Sequence, residues 1–147
     1  MIPKQFRIHA VLALAVLVMI IFPLLSNKPE GYKAEEATAA ASEFLALIDA
    51  GRFDQSWQVS AQVLKEKITQ ADWNKHLATS RQRTGAIVAR QEPDLSYASM
   101  AADSTAKGEY IVLLYSSDFE QVKDLSETIT VMLEEDKVWR VAGYFIQ

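Results

Sequence analysis

The stretch Ser126-Glu127-Thr128-Ile129-Thr130-Val131-Met132-Leu133-Glu134 alternates without a break. In an extended chain Ile129, Val131 and Leu133 point one way and Thr128, Thr130 and Met132 the other, which predicts a strand with one face in a core. Working backwards, the same period holds over Glu109–Phe119, a run rich in Ile, Val, Leu and Tyr. It holds again in Ala86–Gln91 and Leu95–Ala101, which read as a pair of strands joined around Pro93–Asp94. Working forwards, a turn at Glu135–Lys137 leads into a last strand over Val138–Ile146. The spacing predicts hairpin connections throughout.

Upstream of Gly85 the period becomes helical. Ala37, Ala41, Phe44 and Ile48, widened by Leu45, give one apolar stripe over Ala34–Ala50, and Gly51 supplies the stop. A second helix is expected over about Asp54–Lys65, with Trp57, Ala61 and Leu64 on one side. Thr69 opens a third as its cap, with Asp72 at the capping-box position; Trp73 and Leu77 form its apolar side, and Gly85 ends it. Helices followed by an antiparallel sheet define the α+β class. The expected architecture is three helices packed on a curved sheet of four to five strands, cone-like in outline.

The first 26 residues belong to a different physical regime. Ala10–Phe22 is a continuous apolar run, extended by Ile8, Pro23, Leu24 and Leu25. As a helix it would span roughly 27 Å, enough for a thin hydrocarbon core. Lys4 and Arg7 precede it, so the positive-inside rule keeps the start in the cytoplasm and exports the rest. The expected organisation is a signal anchor at 1–26, a polar linker at 27–33 and an exported domain at 34–147. In a bacterium with two membranes this makes an inner-membrane, single-pass protein with a periplasmic domain; the alternative is secretion after cleavage of the leader.

Composition removes several function classes. The chain has 147 residues and no cysteine, which excludes disulfides, thiolate metal sites and a cysteine nucleophile. From Gly31 onward there are 12 Lys/Arg against 18 Asp/Glu, a formal −6, with no clustered cationic face for a phosphate backbone. Nucleic acid is therefore not an expected partner. His76 is the sole histidine of the exported part, so neither a histidine metal site nor a serine–histidine hydrolase is expected, and the scattered glycines form no phosphate cradle. No cofactor is expected.

Three stretches carry a resemblance. Asp49-Ala50-Gly51-Arg52-Phe53-Asp54-Gln55-Ser56-Trp57 resembles a D-x-G-x-[FY]-x-x-[AS]-W turn between two helices. Trp73 with Arg81, Arg83 and Gly85 marks the end of the third helix. Glu127-Thr128 is followed by Trp139-Arg140-Val141-Ala142-Gly143-Tyr144-Phe145 on the last strands. Together, over about Ala34–Gln147, they resemble the DUF4019 domain of exported bacterial proteins, and more broadly the nuclear-transport-factor-2-like (cystatin-like) superfamily. The resemblance implies a cone-shaped α+β fold and an exported location, and no particular activity. Ketosteroid isomerase-like members of that superfamily use a carboxylate base with tyrosine or acid donors.

The residues themselves offer Glu127 as the most informative position. Strand parity sets its carboxylate on the apolar face with Ile129, Val131 and Leu133, where it must be neutralised, paired or functional. Arg90, placed by parity with Ala86 and Val88, is the expected partner. Tyr110, Tyr115 and Tyr144 are candidate hydroxyl donors. Trp57 and Trp73 read as core residues or ligand platforms, Arg83 and Arg81 as a solvated helix end or an anion grip with Arg90, and Gly143 as a point of bulge or close approach. The expected function is a non-catalytic domain that binds a protein partner or a small apolar or anionic ligand, tethered to the membrane by its N-terminal helix. The alternatives are an isomerase- or lyase-type enzyme using a pocket carboxylate, and an accessory subunit of an inner-membrane complex.

Overall fold

The computed structural model describes residues 28–100 and 107–147. The anchor read at 1–26 lies outside them; among the described residues no helix is long and apolar enough to cross a membrane. Four described helices, α1 (Gly31–Asp49), α2 (Phe53–Gln58), α3 (Gln62–Lys67) and α4 (Gln70–Thr84), precede β1 (Ile87–Arg90), β2 (Asp94–Met100), β3 (Gly108–Phe119), β4 (Leu125–Leu133) and β5 (Trp139–Ile146). The strands form one open antiparallel sheet, and the helices pack on one face of it. This is the α+β arrangement the periodicities predict.

Helix α1 buries Ala37, Ala41, Phe44, Leu45 and Ile48, the stripe expected from spacing. It begins at Gly31, so Tyr32 and Lys33 are helical where a linker was expected. The single helix expected over Asp54–Lys65 is instead two short ones. At the break the Ser60 hydroxyl donates back to the Ser56 carbonyl (2.7 Å), and the Ala61 N–H leaves the helix for the Val141 carbonyl on β5 (2.8 Å). That bond satisfies part of an otherwise open sheet edge, and it outweighs a continued helix.

Helix α4 starts as the sequence indicates: Asp72 N–H donates to the Thr69 hydroxyl (3.2 Å), which donates in turn to the Asp72 carboxylate (2.9 Å). It ends at Gly85 with φ +75°, where an added Cβ would stand 2.9 Å from Glu120 Cβ. Only glycine fits a left-handed backbone in that space.

Strand β3 is central. It pairs with β4, and β4 with β5. On the other side β1 and β2 lie end to end along β3, β1 opposite Ser117–Phe119 and β2 opposite Gly108–Leu114. The expected β1–β2 pair is thus corrected: both run antiparallel to β3, so the chain never reverses between them. Across the bend at Gln91–Pro93 the Gln91 N–H keeps to β3 by donating to the Ser116 carbonyl (2.9 Å), and Pro93 has no N–H to offer a hairpin ladder.

Two bulges set which side chains face the helices. Between Ile87 and Ala89 the register slips, so Arg90 shares the inner face with Ile87, while Val88 is 60% exposed. The parity that grouped Arg90 with Val88 is therefore wrong, although its inward direction is right. On β5, Val141 pairs with Val131 and Gly143 with Thr130, which leaves Ala142 unpaired. The extra residue inverts the alternation. Trp139 and Val141 face inward before it and Tyr144 faces inward after it, stacked edge-on against Phe44 with centroids 5.6 Å apart.

Candidate functional site

Glu127 is fully buried (0% exposed) between Tyr115 and Ile146, on the inner face that also carries Ile111, Leu113, Ile129 and Val131. An ionised carboxylate there requires partners, and four hydrogen bonds supply them. Oε2 accepts from Arg90 Nε and from the Ser117 hydroxyl, both at 2.6 Å. Oε1 accepts from the Tyr144 hydroxyl at 2.6 Å and from Arg90 Nη2 at 3.2 Å. Both lone pairs of each oxygen are thereby used.

The network continues outward. Arg90 also grips Asp49 at the C-terminus of α1, Nη1 to Oδ2 at 2.9 Å and Nη2 to Oδ1 at 3.2 Å. Arg81, near the C-terminus of α4, donates to the same Oδ1 at 2.7 Å. Two carboxylates and two guanidiniums thus alternate and cancel in formal charge. Phe119 lies under Arg81 (4.9 Å from Cζ to the ring centroid) and Tyr115 under Arg90 (6.0 Å). The knot ties both long helices to β1, β3, β4 and β5.

The electrostatics follow from this geometry. Burial pushes the Glu127 carboxyl up, but the hydrogen bonds from Arg90, Ser117 and Tyr144, with the charge of Arg90, more than offset it, and the carboxyl ends below its ordinary range. Tyr144 moves far up, through burial, the Glu127 charge and the hydrogen bond it donates. A general base working near neutrality needs a raised carboxyl and a free lone pair within reach of substrate. Glu127 has neither.

The other candidates separate around this cluster. Arg90, Glu127 and Tyr144 meet directly, and Tyr115 flanks them. Tyr110 stands on the opposite face of the sheet, paired with Ala98 and Met132, because it is one residue out of phase with Ile111. Arg83 makes no hydrogen bond to the knot among the described residues and lines a cleft of about 200 Å³ between α4 and the end of β5, together with Tyr144 and Ile146. His76 shares that cleft; burial and then Arg83 hold its imidazole below the usual range. All three indole N–H groups are taken up within the protein: Trp57 by the Ile68 carbonyl (3.0 Å), Trp73 by the Ser56 hydroxyl (3.0 Å) and Trp139 by Glu36 (3.2 Å). Trp73 and Trp139 are buried and Trp57 is partly so. Such indoles position helices and leave no polar handle for a ligand.

Asp49 and Ser117 were not singled out from sequence. Alternation along β3 does put Ser117 in line with Leu113 and Tyr115, and a serine on an apolar strand face is a usable signal. Asp49 appears in the sequence only as the first residue of the D-x-G turn motif, which marks a turn and gives no sign of an ion pair to Arg90 and Arg81. Gly143 does not itself bulge; it lies beside Ala142, which does.

With this geometry established, residues 40–144 match the family described as Protein of unknown function (DUF4019). The chain belongs to that family. No curated protein and no solved structure matches it.

Proposed function

We propose that this chain is a membrane-tethered, extracytoplasmic binding domain that performs no chemical step, folded as a cone of the nuclear-transport-factor-2-like (cystatin-like) kind. Helices on a single face of an open antiparallel sheet support the cone. The apolar run Ala10–Phe22 preceded by Lys4 and Arg7 supports the tether and its orientation. One observation carries the absence of catalysis: the single fully buried carboxylate among the described residues has every lone pair engaged by Arg90, Ser117 and Tyr144. Its substitution would be felt as lost stability, not as lost turnover.

Co-purification of the full chain from detergent-solubilised membranes, with mass spectrometry of bound proteins and small molecules, tests the reading. A companion present in equal amount supports it. Turnover of a carbonyl compound that Glu127→Gln removes while the fold persists overturns it in favour of an isomerase- or lyase-type enzyme. A reporter active only outside the cytoplasm, fused after Gln147, should give signal; a signal confined to a cytoplasmic reporter refutes the location.

A further inference from the structure

A hollow of about 240 Å³ opens between α1 and the bend joining β1 to β2, walled by Thr38, Ser42, Tyr115, Arg90 and Glu92. Three features of its wall are unspent. Tyr115 is 5% exposed, and its hydroxyl oxygen is buried with no hydrogen-bond partner among the described residues. Arg90 has five N–H hydrogens, of which the bonds to Glu127 and Asp49 use four, leaving one on Nη1. Thr38 and Ser42 of α1, each with a hydroxyl, line the facing side. A buried hydroxyl without a partner is uncommon and costly, and it points to a group the hollow takes up.

The chemistry selects the group. Tyr115 is pushed up to about 12, first by burial, with Arg90 opposing and Glu127 and Glu92 adding to it, so its hydroxyl is a donor at neutral pH. The wall thus offers donors to an oxygen acceptor. The guanidinium charge is already matched by Glu127 and Asp49, and Glu92 at the rim adds a negative charge. A full anion meets no net attraction here. An amide does: its carbonyl oxygen has two lone pairs for Tyr115 and Arg90, and its N–H can turn to Glu92.

We infer that this hollow is a binding site for an uncharged amide group, carried either by a small molecule or by the polypeptide of a partner, its carbonyl held by the Tyr115 hydroxyl and the spare Arg90 N–H. The hydroxyl oxygen is covered in this conformation, so binding includes a small movement of the wall that opens it to the hollow. The inference deepens the non-catalytic binding reading and rests on it.

Saturation-transfer NMR on the full chain in detergent micelles, with a micelle-only blank, tests this using N-methylacetamide, the peptide acetyl-Gly-Asn-Gly-amide, and acetate. One or both amides should receive saturation and acetate should not. Tyr115→Phe should weaken amide binding about tenfold while leaving the melting temperature unchanged or raised, since it removes an unmatched buried hydroxyl. Response to N-methylacetamide alone assigns a small-molecule ligand, and response to the peptide alone assigns a partner polypeptide. Acetate binding as well as the amides, no binding by any probe (water alone at Tyr115), or undiminished binding by Tyr115→Phe overturns the proposal. None of these outcomes involves Glu127, so the site can fail while the non-catalytic reading stands, and the turnover assay decides the latter independently.

Discussion

The inner face of the sheet carries a carboxylate near each end, and the same parts are used in opposite ways. Glu109, at the start of β3, accepts from Lys33 of α1 (2.8 Å) and from the Tyr97 hydroxyl (3.0 Å). Glu127, toward the other end, accepts from an arginine and a tyrosine hydroxyl too, with Ser117 added. Helix α1 is therefore pinned at both ends, through Lys33 near its start and Asp49 at its finish. The difference is water. The side chains of Lys33 and Glu109 are 18% and 32% exposed, whereas that of Glu127 is 0% exposed. An exposed pair is screened and gains little, while a buried pair cannot lose one member without stranding the other.

The largest effect should come from breaking the buried end. Glu127→Ala leaves Arg90, Ser117 and Tyr144 facing a void and should cost about 3–5 kcal/mol of unfolding free energy, measured by urea denaturation. Joint replacement of Glu127 and Arg90 by leucine and methionine removes both charges and should cost less than Glu127→Ala alone. Equal or greater loss in the double variant would mean that Asp49 and Arg81 depend on Arg90 more than on the neutrality of the knot.

Much of this knot was legible in sequence. The alternation of Ile129, Val131 and Leu133 put Glu127 on the apolar face, and a carboxylate there calls for a cation, which Arg90 supplies. Local irregularity was not legible. A bulge costs one residue of register and leaves no compositional mark, so the inward turn of Arg90 rested on the wrong neighbours and the phase of Tyr144 was open. The break at Ser60–Ala61 was hidden for a related reason: its cause is a bond to Val141, some eighty residues on, and helical periodicity sees only near neighbours. The Glu109–Lys33–Tyr97 group went unnoticed because partly exposed charges on a strand end look like ordinary surface.

Acid sharpens the contrast at intermediate magnitude. The Glu127 carboxyl lies below its ordinary value of 4.5 in the folded chain. Its contribution is therefore complete above that value and is lost as the pH falls through the folded-state value. The stability gap between the native chain and Glu127→Gln should be constant from about pH 7 down to the ordinary carboxyl value and close below it. A gap that closes at higher pH would require a raised carboxyl and would reopen a role in proton transfer. Tyr144→Phe tests one bond of the same knot, and loss of a buried hydrogen bond to a charged acceptor should cost about 1.5–3 kcal/mol.

The matching substitution at the other end is Tyr97→Phe, and the comparison predicts the smallest effect there. Tyr97 donates to one oxygen of Glu109, as Tyr144 does to one oxygen of Glu127, and Lys33 stands 5.3 Å above its ring. Water can replace the lost hydroxyl at a partly exposed carboxylate, so the cost should stay at or below about 1 kcal/mol. It should also shrink in about 1 M salt, where screening reaches only about 3 Å, whereas the cost of Tyr144→Phe should not. Paired denaturation curves for the two variants at low and high salt decide the matter. Equal costs and equal salt responses would mean that burial is not what separates the two ends, and the buried knot would lose its claim to hold the domain together.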